Sequence, residues 1–254
     1  MTEERSIEIA AFDADSVWLK PGTTLIISAA NSGKTSLAIE AIGCATRHGK
    51  RTLPKFFGPD GDRFLFETPD LNAAVFGAPN LDERAYYQAA GIQNAYIHGA
   101  NVANLNGICK NLLNVQAPKA GGQIEECKWL IIVESGFASE ALVRCPQLQL
   151  LMAEAKNCAA HIIVVAQPPN PEQKADQSFN DFLNLYVPEA DQIFIGHCRK
   201  QDVDFLVPRL KGWKPEFSPY STGESYHYWV LDNSGKSLEW HASNKLPQVQ
   251  KPVV

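Results

Sequence analysis

Four short runs constrain this chain most: Thr24 to Ser28 (TLIIS), Trp129 to Glu134 (WLIIVE), His161 to Ala166 (HIIVVA) and Gln192 to Gly196 (QIFIG). Each is almost continuously apolar, with no alternation of apolar and polar residues. A strand of that kind is buried on both faces, which is the condition of a parallel sheet covered by helices. Helical patterns follow at Lys34 to Arg47, Ala100 to Leu113, Ser139 to Asn157 and Val203 to Leu210, and weaker strands are expected at Arg63 to Glu67 and Ala95 to His98. This rhythm predicts an α/β fold with a mostly parallel sheet. Tyr226 to His241 places two β-prone arms around Asp-Asn-Ser-Gly, a C-terminal β-hairpin signal. The expected organisation is a single domain over 1–242, with loop insertions near 50–69 and 118–122 where Gly and Pro gather, and a flexible tail over 243–254.

Composition narrows the class. The 254 residues are 45% hydrophobic and 20% charged, which excludes disordered, collagenous and coiled-coil chains. A net charge of −5 excludes a general polycation, so contact with nucleic acid would come from local basic loops such as Lys50 to Lys55 (KRTLPK) or Arg199-Lys200, or from a ring that multiplies them. The six cysteines include no C-x-x-C pair, which points to free, mostly buried thiols in a reducing compartment. The N-terminus MTEERSIEIA carries no apolar leader and no run of 18 apolar residues occurs, so neither secretion nor a membrane span is expected.

The first strand runs into Ser28-Ala29-Ala30-Asn31-Ser32-Gly33-Lys34-Thr35-Ser36 and then a helix. Strand, small-residue loop and helix in that order form a P-loop. Backbone N–H groups of such a loop turn toward a phosphate, the helix dipole favours the anion, Lys34 reaches the β- and γ-phosphates, and the Thr35 hydroxyl is offered to Mg²⁺. ATP with Mg²⁺ is the implied cofactor pair. Two positions depart from G-x-x-x-x-G-K-[ST]: Ser28 replaces the first glycine, and Asn31 stands where a further glycine is frequent. Serine can close the loop with negative φ, and asparagine tolerates the left-handed region.

Hydrolysis also needs a carboxylate at the end of a neighbouring strand. WLIIVES is the strongly apolar strand that ends in an acid, which makes Glu134 the candidate, as magnesium-side carboxylate or as catalytic base. The usual Asp-Glu pair is one acid short here. HIIVVA stops at Gln167, whose amide can orient water or sense the γ-phosphate, or simply end the strand. His161 and His197 lack metal-like spacing and read as packing or surface residues.

At these motifs the chain resembles the FtsK/HerA superfamily of P-loop ATPases, and within it the genome-packaging ATPases of double jelly-roll capsid viruses. The resemblance is carried most by Ala155 to Pro169 (AKNCAAHIIVVAQPP), a helix end followed by a strand running to glutamine. Lys156 falls where the family usually has arginine. The separation of 33 positions from Glu134 to Gln167 resembles the compact viral packagers more than the larger translocases. Membership would imply a RecA-like core, a homo-oligomeric ring, often a hexamer, ATP hydrolysis at subunit interfaces, and translocation of DNA, here a viral genome. It would also imply an arginine finger from a neighbouring subunit, for which Arg199 leads and Arg144 and Arg209 follow. The implied setting is the host cytoplasm or the virion's packaging vertex, with capsid vertex proteins as partners and the hairpin carrying Trp229 and Trp240 as a docking surface or a plain edge ribbon. Other readings stay open: a virion-assembly ATPase that does not grip DNA, a small-molecule kinase, which the scarcity of clustered arginine disfavours, or a nucleotide-binding protein with degraded catalysis.

Overall fold

The computed structural model describes residues 18, 20–38, 41, 72–77, 96–98, 100–114, 127, 129–135, 137–169, 177–210, 225–232 and 237–244. Its strands are β1 (Gly22–Ile27), β2 (Asn72–Phe76), β3 (Tyr96–His98), β4 (Trp129–Val133), β5 (Ala160–Ala166), β6 (Gln192–Ile195), β7 (Ser225–Asp232) and β8 (Ser237–Asn244). Helix α1 begins at Lys34 and is described over 34–38 and at 41. The others are α2 (Val102–Asn114), α3 (Ser139–Val143), α4 (Pro146–Ala153), α5 (Gln177–Tyr186) and α6 (Lys200–Leu206).

The eight strands form one sheet in the order β3-β2-β4-β5-β1-β6-β7-β8. Every pairing from β3 to β6 is parallel, and β7 and β8 close that side as an antiparallel hairpin. The continuous apolar runs are explained by burial, since every residue of β1, β4 and β5 is buried. On one face Leu25, Ile27, Ile131, Val133, Ile162, Val164, Ile193 and Ile195 share a core with Leu105, Leu142, Leu148, Phe179 and Leu206 of helices α2 to α6. On the opposite face Ile26, Ile163, Val165 and Phe194 are buried too, and Trp18 stacks on Phe194 at 5.3 Å between ring centroids.

The helix expected from Ser139 to Asn157 is two helices, α3 and α4. Pro146 opens α4, and its ring disfavours helical geometry at the preceding residue, so Cys145 leaves the helical region at φ −112° and ψ 72°. Strand β2 and helix α5 were not expected. The Ala-Ala of β2 carries little strand signal, whereas α5 buries Phe179, Phe182, Leu183 and Tyr186 at regular helical spacing. The last expected helix starts earlier, at Lys200. Strand β8 runs through Asn244, two residues into the expected tail; the weak strand at Arg63 to Glu67, the insertions near 50–69 and 118–122, and the rest of the tail lie outside the described residues. The cysteines follow expectation where described: Cys109, Cys127, Cys145 and Cys198 are buried thiols and Cys158 is a half-buried one, none of them in a disulfide. No helix among the described residues is long and apolar enough to cross a membrane.

Candidate functional site

The C-terminal ends of the parallel strands lie along one sheet edge, where ligands of open α/β sheets bind. Ile27 of β1 is in register with Ala166 of β5 and with Ile195 of β6, so Ser28, Gln167 and Gly196 continue one row across three strands. Val133 pairs with Val164, which places Glu134 at the same edge one strand further on. The strand that ends in Gln167 thus lies between the loop strand and the acidic strand.

The loop has the backbone that its sequence requires. Asn31 and Gly33 take positive φ, 56° and 85°, and Ser28 does not. Left-handed residues set among right-handed ones turn successive N–H groups toward a common point, an anion-binding concavity. Helix α1 starts directly behind it, with Leu37 N–H bonded to the Gly33 carbonyl at 2.9 Å. Thr35 is half-buried and Ser36 buried in its first turn, while Ala29 is buried and Ala30 exposed. Lys34 is buried at 6% exposure, and its ammonium donates to the Ala29 carbonyl at 2.5 Å, folded back on the loop.

Ser28 is accommodated by its neighbours. Its hydroxyl donates to the His197 carbonyl at 3.0 Å and touches the Ser32 hydroxyl, which itself reaches the Ala29 carbonyl at 2.5 Å. Ala29 N–H donates to the same His197 carbonyl at 2.8 Å. The side chain fits because Gly196 lies across from it: a Cβ at Gly196 would meet Ser28 Cβ at 2.9 Å and Tyr228 Cε1 at 2.8 Å. The glycine missing from the loop is compensated by one on the adjacent strand.

Glu134 is fully buried, its N–H held by the Phe76 carbonyl at 2.7 Å and one carboxylate oxygen accepting from Ser135 N–H at 3.1 Å. Gln167 is exposed at the centre of the edge. Among the described residues no group of three or more His, Cys, Asp or Glu is placed to hold a metal alone. Thr35 and Glu134 supply hard oxygen donors of the kind Mg²⁺ takes, and that ion characteristically completes its shell with water and substrate phosphate.

Arg199, expected to reach a neighbouring subunit, is engaged within its own chain. Its Nε and Nη2 fork onto the two carboxylate oxygens of Asp202 at 2.8 Å each, and Nη2 also donates to the Pro169 carbonyl at 2.8 Å. The Asp202 hydrogen bond raises the pKa of Arg199 further above its ordinary value. Asp202 in turn accepts from Arg199 N–H at 2.9 Å, capping α6. This network ties the loop after Gln167 to the end of β6 and holds the Arg199 guanidinium within its own chain in this structure. Arg144 is exposed and paired with Glu140 one helical turn away. Arg209 lies over the Phe205 ring at 3.8 Å and bonds Asn180. Lys156 sits at the opposite edge, paired with Asp191 at 2.5 Å. Burial pushes the adjacent Cys198 thiol up to about 12, a change Asp202 reinforces and Lys34 partly offsets, so it stays neutral.

Asp202, Gly196 and Tyr228 belong to this neighbourhood and were missed in the sequence. Asp three residues after Arg199 was a readable capping signal. The other two depend on strand register.

No family model matches the chain, and no curated protein matches it in sequence. Solved structures do match its fold. The cytoplasmic domain of the Thermomonospora curvata type VII secretion ATPase EccC superposes with a TM-score of 0.55 at 11% identity, covering 89% of this chain and 24% of that one. A structure described as an ATPase gives 0.52 at 9% identity, covering 90% and 82%. EccC ATPases 2 and 3 in complex with a signal sequence peptide give 0.53 at 8%, covering 89% and 37%. The chain therefore has the α/β P-loop ATPase fold, and it spans only about a quarter of the EccC cytoplasmic domain.

Proposed function

We propose that the protein hydrolyses ATP as a P-loop motor, assembled as a homo-oligomeric ring, and drives DNA into a preformed viral capsid. The observation that carries the hydrolytic reading is the convergence of a left-handed, lysine-bearing loop, a buried carboxylate and a strand-end glutamine on one sheet edge. The loop N–H groups bind the β-phosphate, and Lys34 exchanges its bond to the Ala29 carbonyl for the β- and γ-phosphate oxygens. Thr35 and Glu134 are the residues that would hold Mg²⁺, which when bound neutralises charge building on the phosphates. In this reading Glu134 also accepts the proton of an attacking water, and Gln167 orients that water or senses the γ-phosphate.

The DNA step rests on the resemblance of Ala155 to Pro169 to packaging ATPases and on the compact spacing of Glu134 and Gln167. Exposed Lys200 and the 50–55 basic segment supply phosphate contacts that a ring would repeat. The setting that follows is the host cytoplasm and the packaging vertex, with the hairpin facing capsid proteins. A second reading is favoured by the EccC structures, one of them described as complexed with a signal sequence peptide: a virion-assembly ATPase that moves or docks polypeptide without gripping DNA. Steady-state ATP hydrolysis with and without duplex or single-stranded DNA separates the two. Stimulation by DNA, steepest at low salt, is expected for the motor; hydrolysis indifferent to DNA at every salt concentration shifts the assignment to the assembly ATPase.

A further inference from the structure

The hairpin reaches the phosphate-binding loop. Ile195 of β6 pairs with Trp229 of β7, which sets Tyr228 opposite Gly196 in the row that also contains Ser28. Directly opposed residues of antiparallel strands point to the same face. With no side chain on Gly196, the Tyr228 ring crosses β6 in the space a Cβ would fill, its Cε1 2.8 Å from that position. The ring packs edge-on to Phe194 at 6.4 Å and is fully buried. Its hydroxyl donates to the Ser32 carbonyl at 3.0 Å, across 196 positions of sequence.

The bond falls on the peptide unit that leads into the left-handed Gly33. In a planar trans peptide the C=O and the following N–H point in opposite directions. Holding the Ser32 carbonyl toward β7 therefore turns the Gly33 N–H away from the hairpin, toward the hollow of the loop. Glycine has φ of either sign within easy reach, so the Ser32–Gly33 unit is also the one that flips most readily. A donor fixed on a strand biases that flip toward one orientation before any ligand arrives, which is preorganisation of an anion site.

We propose that Tyr228 is a positioning residue for the nucleotide, acting through the Ser32–Gly33 peptide so that the C-terminal hairpin sets the loop's affinity for the β-phosphate. This rests on the P-loop reading above. The test uses the full chain and Mg·ADP as probe, titrated against wild type, Tyr228→Phe, Lys34→Ala and Tyr186→Phe. Tyr186 is the matched control, because its buried hydroxyl also donates to a backbone carbonyl, that of Leu142 at 2.8 Å, but in the helical layer. Tyr228→Phe is expected to weaken ADP binding about five- to tenfold, the effect of one buried hydrogen bond. It should raise KM for ATP by a similar factor while leaving kcat within about twofold. Tyr186→Phe should lower the melting temperature comparably and leave ADP affinity unchanged. Wild-type affinity in Tyr228→Phe, or equal weakening in Tyr186→Phe, overturns the proposal while wild type binds and Lys34→Ala does not. Failure of wild type itself to bind ADP overturns the P-loop reading and this proposal together. Hydrogen exchange on wild type needs no variant: ADP should slow exchange across 225–232 as well as 28–38, and protection confined to 28–38 contradicts the coupling.

Discussion

The two ends of the same strands differ in what their buried polar groups do. At the N-terminal end of the sheet, polar side chains lock the chain to itself. His161 bonds the Lys20 carbonyl through Nδ1 at 2.8 Å and the Thr24 hydroxyl through Nε2 at 3.0 Å. Asp191 accepts from Thr23 N–H at 3.0 Å and from Lys156 at 2.5 Å. At the C-terminal end, Lys34 and Glu134 are about as buried as His161 and Thr24, yet they belong to the edge that carries the loop with its left-handed Asn31 and Gly33. Burying charge is costly unless it is compensated. At one end the compensation is structural and permanent; at the other it is provisional, a lysine resting on a loop carbonyl that phosphate oxygens can replace. Substitutions at the N-terminal edge should therefore change stability, and those at the C-terminal edge nucleotide chemistry.

Among substitutions that keep a side chain's shape, Glu134→Gln is expected to have the largest effect. Turnover should fall about 10²-fold or more, the range of a lost general base, with ATP still bound and stability little changed. Loss of Mg²⁺-dependent binding instead would place Glu134 on the metal side, and unaltered turnover would remove it from the site. Gly196→Ala tests the join between strand and loop. Its Cβ would meet Ser28 and Tyr228, so overpacking should cost about 1–3 kcal/mol in chemical unfolding and weaken ADP binding as well. A variant as stable and as tight as wild type would show that the loop tolerates the contact.

At the other end pH is the lever. Burial lowers the His161 pKa to about 4, against the 6.5 of an unperturbed histidine, outweighing the bond to Lys20 and the nearby Asp191. The folded state thus holds the neutral ring. That stability is complete above about pH 6.5, falls as the unfolded chain takes up the proton, and is lost by about pH 4, a swing on the order of 3 kcal/mol at most. Unfolding free energies of wild type and His161→Gln from pH 7.5 to 4 should converge as pH falls; parallel curves would contradict the assignment.

Much of this contrast was legible in the sequence. The loop from Ser28 to Ser36, the acid ending WLIIV and the glutamine ending HIIVVA are local signals, because continuous apolar runs mark the strands and their polar ends mark the edge. The tolerance of Asn31 for positive φ and the negative φ of Ser28 followed from side-chain sterics alone. Tyr228 and Gly196 were illegible because their meeting depends on the register of β6 against β7, a long-range pairing that no local pattern encodes. Arg199 was visible as a cation after β6, but its engagement with Asp202 and Pro169 needed the folded loop.

Two lysines give the most direct test, one at each edge of the sheet. ATP hydrolysis and melting temperature are measured together for wild type, Lys34→Ala and Lys156→Ala. Lys34→Ala should abolish hydrolysis in a folded protein. Lys156→Ala should keep it, losing at most about 1 kcal/mol of stability because the Lys156 side chain in the ion pair is exposed. Hydrolysis that survives in Lys34→Ala, or that falls equally in both variants, would contradict the assignment of nucleotide chemistry to the C-terminal edge.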